Sequence, residues 1–272
     1  GLNLTQKEIV AARKLRAVAT ATTGLDHLDE KFLASKGIAL ISLRGENEFL
    51  NTVTGTAELA FSLLLSLARL SVPAFDSVRR GEWQREKFRG TSLYGKTLGI
   101  VGLGRLGKIM AKLAQGFEMK VIASDPFLDS SEFNFAGVSR VNFDELLKES
   151  DFISIHTHLS KDTEGMFNKK VFAKMKKSAY LINTARGKIV NEPDLLKALK
   201  RRSIAGYGAD VLSDELNFDS NFSNNPLVEY TKKNNNCLIT PHIGGMTHES
   251  RTATDVFIAR RLAQWFKENQ KK

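Results

Sequence analysis

The sequence predicts an α/β protein: a doubly wound parallel sheet with helices on both faces, joined to a second, smaller and discontinuous α/β domain. Three observations support this fold class. Short apolar runs alternate with amphipathic stretches through the middle of the chain, and a glycine-rich turn over 102–107 follows the first of these runs. The chain has 272 residues, of which 42% are hydrophobic, enough to form sizeable cores. Strand–helix alternation of this kind builds right-handed βαβ units and therefore a parallel sheet.

The apolar runs and the stretches between them predict the individual elements. Six strands are expected in the middle of the chain, over 97–102, 120–124, 151–156, 179–183, 204–211 and 236–241. Helices are expected between them, over 105–117, 143–150 and 191–202. Two further strands (15–21 and 38–43), a helix between them (29–37) and a last helix (249–268) flank this block. The asparagine-rich segment 216–236 predicts a surface loop.

The flanking elements indicate how the chain is divided. Because they precede and follow a complete sheet, we expect a discontinuous domain of residues 1–47 and 246–272 around a dinucleotide-binding domain of residues 48–245.

Composition limits the compartment and the partners. The single cysteine, Cys237, cannot form an internal disulfide, which favours the cytoplasm. The longest apolar run, 57–70, is shorter than the roughly 20 residues that cross a bilayer, so we expect a buried or interface helix and no membrane partner. The net charge of +10 comes from scattered Lys and Arg without a nucleic-acid-binding signature. We therefore expect small anions, and not nucleic acid, as binding partners.

A glycine motif and a later carboxylate predict a dinucleotide site. Gly102, Gly104 and Gly107 have GxGxxG spacing between an apolar strand and an amphipathic helix. The first glycine permits the tight turn, the second lets a pyrophosphate approach the backbone, and the third allows close helix–strand packing. The N–H groups at the start of the helix attract the phosphates. Asp125, at the end of the next strand, would accept hydrogen bonds from the ribose hydroxyls and repel a 2′-phosphate, so the expected cofactor is NAD.

Three polar residues follow later strands and form a candidate catalytic set: Arg186, Glu215 and His242. The carboxyl ends of parallel strands meet at one edge of the sheet, so these side chains are expected to converge there. Histidine suits proton transfer near neutral pH, a carboxylate stabilises its protonated ring, and a guanidinium binds a substrate carboxylate. Taken alone, Arg186 could instead cap a turn between a strand and a helix, and Glu215 could be an ordinary solvent-exposed acid in a loop. Together, after an NAD site, they predict redox chemistry at a 2-hydroxy acid.

Several motifs occur in an order that resembles the D-isomer-specific 2-hydroxyacid dehydrogenase family. They are "TTGLDHLD" (22–29), "TAELAFSLLLSLAR" (56–69), "GEW" (81–83), "GKTLGIVGLGRLG" (95–107), "SDP" (124–126), "INTARG" (182–187), "GADVLSDE" (208–215) and "TPHIGG" (240–245). The resemblance implies that His242 is the acid/base and also lies against the cofactor, that Glu215 tunes it, and that Arg186 binds the substrate.

The resemblance also implies binding residues and an assembly. The residues expected to line the cofactor, besides the three glycines and His242, are Arg105, Leu106, Asp125, Pro126, Thr184, Ala185 and Asp210. Backbone N–H groups of Thr23 and Gly24 would bind the substrate carboxylate. A homodimer is expected, with residues 57–70 and the Trp83 region at its interface. Relatives begin with about 50 to 60 more residues, so we expect the substrate domain to be N-terminally truncated in this sequence.

Two alternatives share some of these residues. An NADH-sensing binding protein, such as the corepressors of the same fold family, would have the same motifs and act on a partner protein instead of a substrate. A metal site could include His156 and His158, but without a third ligand at tight spacing we expect none.

Overall fold

The computed structural model describes residues 4–215 and 224–269. The chain divides into two compact units, here called the small unit (Gly1–Val53 with Gly245–Lys272) and the large unit (Thr54–Gly244). The sequence-based boundary after residue 47 differs by a few residues from the one in the structure. The reason is a short helix whose Leu50 is buried beside Leu43 and Ile258, and which therefore belongs to the small unit.

The small unit is a two-stranded parallel sheet packed with helices. Its elements are α1 (Gln6–Ala11), β1 (Ala17–Ala19), α2 (Glu30–Ser35), β2 (Ala39–Ile41), α3 (Asn47–Leu50) and α12 (His248–Glu268). The Asp29 side chain caps α2 by accepting the Phe32 N–H. Phe257 of α12 stacks on Phe49 of α3 with ring centroids 4.1 Å apart, which fixes the last helix to this unit.

The large unit is a seven-stranded parallel sheet in the order β5-β4-β3-β6-β7-β8-β9. The strands are β3 (Thr97–Val101), β4 (Lys120–Ser124), β5 (Ser139–Arg140), β6 (Phe152–Ile155), β7 (Tyr180–Asn183), β8 (Gly206–Ala209) and β9 (Cys237–Ile239). The order reverses at β3, where β4 lies on one side and β6 on the other. The predicted doubly wound α/β fold is confirmed.

Helices cover both faces of this sheet. They are α4 (Gly55–Arg69), α5 (Ser71–Arg79), α6 (Arg105–Gly116), α7 (Ser130–Phe135), α8 (Phe143–Glu149), α9 (Lys169–Phe172), α10 (Glu192–Lys200) and α11 (Pro226–Thr231), with short 3-10 turns at Arg85–Phe88 and Gly187–Ile189. Successive strand residues face opposite cores: Ile153 and Leu181 pack in one cluster, and Phe152 and Ile182 in the other. This is why the central strands β3, β6, β7 and β8 are mostly buried on both faces and show no regular alternation of apolar and polar residues.

The apolar segment Asn47–Arg69 is long and apolar enough to cross a membrane by length and composition, with a mean hydropathy of 1.2. It is not one helix, because residues 51–54 are not helical. In α4, Ala60, Leu64 and Leu67 are at most 1% exposed within the core of the large unit. The apolar character of α4 therefore comes from packing on its own sheet, against β7 and β8.

The predicted loop over 216–236 is only partly correct. Residues 216–223 lie outside the described residues, but Pro226–Thr231 is helical. The Asn225 side chain accepts the N–H groups of Leu227 and Val228, and Pro226 is the first helical residue. Asn225, one of the asparagines that suggested a loop, is in fact a helix cap, and the buried Leu227 anchors the helix that follows.

Candidate active site

The glycine turn has the geometry that a dinucleotide requires. Gly102 follows β3 with φ +90°, and a Cβ there would lie 2.9 Å from the carbonyl carbon of His156. A Cβ at Gly107 would lie 2.3 Å from the Gly102 oxygen, so α6 packs directly on the turn. A Cβ at Gly104 would meet none of the described atoms within 4 Å. The backbone at the second glycine is thus accessible from outside, at the N-terminus of α6, which suits a pyrophosphate.

Arg105 and Leu106 form the first turn of α6, and both are half-buried. Burial lowers the pKa of the Arg105 guanidinium, which nevertheless stays charged at neutral pH. A partly desolvated guanidinium attracts phosphate, and the predicted contact of Arg105 with the cofactor stays a prediction.

Asp125 lies beside the glycine turn, at the end of β4. Its Oδ2 accepts the Leu103 N–H at 3.0 Å and its Oδ1 accepts the Phe127 N–H at 3.0 Å. Each carboxylate oxygen has a second lone pair, so both can still accept a ribose hydroxyl. Pro126 continues the chain as an exposed turn residue.

The segment after β7 contains an unsatisfied polar atom. Among the residues that the structure describes, the buried Thr184 hydroxyl is the only buried side-chain nitrogen or oxygen without a hydrogen-bond partner. Next to it, the Ala185 N–H donates to the Asn183 side chain at 3.0 Å. A buried hydroxyl without a partner is costly unless a ligand satisfies it. With the open glycine turn, this atom indicates that the residues present fit NAD.

His242 and Glu215 form a direct pair. The Nδ1 of His242 lies 2.8 Å from Oε1 of Glu215, and the imidazole side chain is 54% exposed. The hydrogen bond to Glu215 raises the pKa of His242, and the negative charges of Glu215 and Asp210 act in the same direction. Burial and the charge of Arg186 oppose this increase. Because Nδ1 is engaged by the carboxylate, Nε2 is the ring nitrogen available to a substrate.

Asp210 supports the loop that carries His242. Its carboxylate accepts the Thr240 hydroxyl at 2.6 Å and the N–H groups of Ile243 and Gly244 at 2.8 and 2.7 Å. Asp210 is 2% exposed, and His242 has a left-handed φ of +53°. Such a backbone conformation is unfavourable for a residue with a side chain and persists only where the surroundings impose it. The structure therefore gives Asp210 a loop-holding role, and its predicted contact with the cofactor stays a prediction.

Arg186 follows β7 and belongs to the same part of the large unit. Its Nη1 donates to the Ala185 carbonyl at 2.7 Å, and the Asn183 side chain donates to the Arg186 carbonyl at 2.9 Å. A Cβ at the next residue, Gly187, would lie 2.0 Å from the Leu212 carbonyl carbon, so the turn after β7 lies against the turn that carries Glu215. Glu215 in turn contacts His242, which follows β9.

Thr23 and Gly24 lie in the small unit, between β1 and α2. The Thr22 hydroxyl donates to the Gly24 carbonyl at 2.8 Å and shapes this segment. Their predicted role in holding a substrate carboxylate stays a prediction.

The two histidines considered for a metal site have different surroundings. The ring of His156 lies 2.8 Å from the Ser154 hydroxyl, and burial lowers its pKa to about 4. His158 is exposed. Within residues 4–215 and 224–269, no group of three or more His, Cys, Asp or Glu residues could hold a metal ion.

The sequence did not single out three supporting residues: Asn183, Glu192 and Thr240. The Asn183 side chain donates a hydrogen bond to the Arg186 carbonyl and accepts one from the Ala185 N–H. Glu192 begins α10, where an acidic residue is ordinary, so its contact with a distant segment had no sequence signal. Thr240 directly precedes the "PHIGG" segment, and its polar character was the only available indication.

Comparisons with known proteins agree with this geometry. Residues 61–244 match the model of the D-isomer specific 2-hydroxyacid dehydrogenase family, NAD binding domain. The glyoxylate reductase of Thermococcus litoralis is 39% identical over 263 residues, with 94% of this chain and 75% of the relative covered. The D-3-phosphoglycerate dehydrogenase of Bacillus subtilis is 37% identical over 253 residues, and this chain spans 46% of its length.

A solved structure supports the same relationship. The D-lactate dehydrogenase from Aquifex aeolicus, complexed with NAD and lactic acid, superposes with a TM-score of 0.84 at 29% identity, covering 99% of this chain and 81% of that one.

Proposed function

The chain belongs to the D-isomer specific 2-hydroxyacid dehydrogenase family, and from this premise we propose that it interconverts a D-2-hydroxy acid and the corresponding 2-keto acid with NAD(H). The observation that carries the proposal is the 2.8 Å contact between His242 and Glu215 on the NAD-binding unit. It provides a histidine whose proton is stabilised near neutral pH, where the carbonyl group to be reduced needs a proton donor.

NADH, when bound to the large unit, would supply the hydride for reduction of the keto acid. Nε2 of the protonated His242 donates a proton to the carbonyl oxygen as that oxygen becomes an alkoxide. Glu215 accepts the Nδ1–H and stabilises the imidazolium before transfer. In the reverse direction, neutral His242 removes the hydroxyl proton.

Arg186 is proposed to bind the carboxylate of the substrate. A guanidinium donates two parallel hydrogen bonds to a carboxylate, which fixes the orientation of the adjoining carbonyl carbon. Asn183 supports this role, because it holds the Arg186 carbonyl and the Ala185 N–H at once and so fixes the turn from which the guanidinium extends.

We propose a small anionic 2-hydroxy or 2-keto acid as the substrate class. The relatives include proteins named for glyoxylate, phosphoglycerate and lactate, all of which are small carboxylate anions. The positive net charge of the chain favours an anion in general.

We also propose that the protein is a homodimer. The buried apolar residues of α4 pack in the core of the large unit. The α5 apolar face, by contrast, is exposed. It consists of Val72, Phe75, Val78 and the nearby Trp83, which are 40%, 67%, 54% and 87% exposed. Apolar groups spaced three residues apart on one helix form a continuous stripe, and such stripes are commonly covered by a partner. A second copy of the chain is the partner proposed.

The function is tested by a screen of NADH oxidation with glyoxylate, hydroxypyruvate, pyruvate, phosphohydroxypyruvate and an arylpyruvate. We expect NADH oxidation with at least one of these acids. Tight NADH binding without oxidation by any of them would contradict the proposal and favour the NADH-sensing binding protein instead.

A further inference from the structure

A carboxylate outside the catalytic trio holds the turn that carries Glu215. Glu192 is the first residue of α10, and its Oε1 accepts the Ser213 N–H at 2.6 Å. The two residues are far apart in sequence, and Glu192 is half-buried. A charged acceptor on a backbone N–H is among the stronger hydrogen bonds in proteins, so this contact fixes the peptide between Leu212 and Ser213.

The same peptide is confined from a second direction. A Cβ added at Gly187 would lie 2.0 Å from the Leu212 carbonyl carbon and 2.3 Å from the Ser213 nitrogen. Gly187 directly follows Arg186, so the backbone next to the arginine lies against the turn. The Leu212–Ser213 peptide is therefore held between Glu192 and Gly187.

The position of this peptide determines the position of the Glu215 carboxylate. Oε2 of Glu215 accepts the Leu212 N–H at 3.2 Å, and the Glu215 N–H donates to the Leu212 carbonyl at 3.4 Å. The other carboxylate oxygen, Oε1, lies 2.8 Å from His242. A shift of the peptide would consequently move the carboxylate away from the ring.

We propose that Glu192 is a positioning residue, which fixes Glu215 against His242 through the Ser213 N–H. The inference deepens the proposed function and rests on it for its catalytic meaning. Glu192 takes no part in proton transfer and acts only through the 212–215 turn.

The consequence is a change in the acidity of His242. The charged groups that act on the imidazole are Glu215, Asp210 and Arg186, and the hydrogen bond that the ring donates to Glu215 is the main cause of the raised pKa. Asp210 is held independently by Thr240, Ile243 and Gly244. Loss of the Glu192 contact is therefore expected to lower the pKa of His242 toward its ordinary value while the loop itself stays in place.

The test compares Glu192→Ala with Glu192→Gln, which keeps an acceptor oxygen, and with Asp194→Ala. Asp194 is a matched control: it lies in the same first turn of α10 and accepts a backbone N–H of another segment, that of Lys169, at 3.0 Å. The primary readout is the pKa of His242 from an NMR titration of the ring, assigned with His242→Gln. The second readout is the pH profile of kcat/KM for keto-acid reduction.

We expect Glu192→Ala to lower the His242 pKa, to move the alkaline limb of kcat/KM to lower pH and to reduce kcat/KM about tenfold or more on that limb. Glu192→Gln is expected to keep the His242 pKa and kcat/KM close to those of the unmodified protein. Asp194→Ala is expected to leave the His242 pKa unchanged. If the alanine variant is unfolded by circular dichroism, Glu192→Asp, whose side chain is one methylene shorter, is expected to lose the Ser213 contact and to give the same lowered pKa.

An unchanged His242 pKa in a folded Glu192→Ala or Glu192→Asp variant would overturn the inference, as would an equal shift in Asp194→Ala. The titration needs no turnover. A failure of the proposed function, seen as no oxidation of NADH with any keto acid, is thus distinguishable from a failure of the Glu192 inference.

Discussion

At the scale of single residues, the chemistry depends on the proton of His242. The Glu215 hydrogen bond raises the pKa of this imidazole, so its protonated form persists to higher pH than that of an unpaired histidine. Reduction of a keto acid uses the protonated form, and its rate is expected to fall as the pH rises through the pKa of His242.

Replacement of Glu215 by Gln tests this dependence. The amide lacks the negative charge that stabilises the imidazolium, so the pKa of His242 decreases and the alkaline limb of kcat/KM for reduction moves to lower pH. The profile is measured by NADH oxidation across the pH range. Glu229→Gln on α11 is the control, since Glu229 pairs with Lys232 and is expected to leave the profile in place. A Glu215→Gln profile that coincides with that of the unmodified protein would show that the carboxylate does not act on the ring.

Sequence reasoning pointed to the candidate residues of this site but not to the residues that hold them in place. His242, Glu215 and Arg186 each follow an apolar strand, a signal that the sequence carries locally. The contacts of Asp210 with residues 240–244 and of Glu192 with Ser213 join positions about 30 and 21 apart in the chain. No local pattern encodes such pairs, because they exist only after the strands are placed side by side.

At the scale of elements, the β3–turn–α6 segment is the part of the fold on which the dinucleotide site depends. The predicted strands 97–102 and 120–124 match Thr97–Val101 and Lys120–Ser124 closely, because each contains a short apolar run that ends before a glycine or an aspartate. The helix in Pro226–Thr231 was missed, because its cap residues are the same types that form loops.

Gly107→Ala tests the packing of this segment. The added methyl would lie 2.3 Å from the Gly102 oxygen, so α6 must move away from the turn. We expect a loss of about 1–3 kcal/mol in the free energy of unfolding and weaker NADH binding. Denaturant titration and NADH fluorescence measure the two effects.

Gly116→Ala is the matched control on the same helix. A Cβ at Gly116 would meet none of the described atoms within 4 Å, and this helical position has no positive φ. Unchanged or slightly increased stability is expected there, with normal NADH binding. Equal behaviour of the two variants would contradict the close helix–turn contact.

At the scale of the whole molecule, the proposed dimer depends on the α5 apolar face. Phe75→Glu puts a charge on a side chain that is 67% exposed, so the folded monomer is expected to lose little stability while association is weakened. Analytical ultracentrifugation at several concentrations is expected to show a shift from dimer to monomer. Val10→Glu, at a side chain 60% exposed on α1, is the control and is expected to stay dimeric. A dimer that is unaffected by Phe75→Glu would place the interface elsewhere.

The central claim is that the paired imidazole of His242 transfers the proton during NADH-dependent reduction of a 2-keto acid. The most direct measurement is the turnover of His242→Ala with the best keto acid of the screen, together with its NADH affinity; His248→Ala, an exposed histidine on α12, is the control. The account predicts a loss of turnover of about 10²- to 10⁴-fold in His242→Ala with NADH binding retained, and normal turnover in the control. Turnover by His242→Ala within a few-fold of that of the unmodified protein would contradict it.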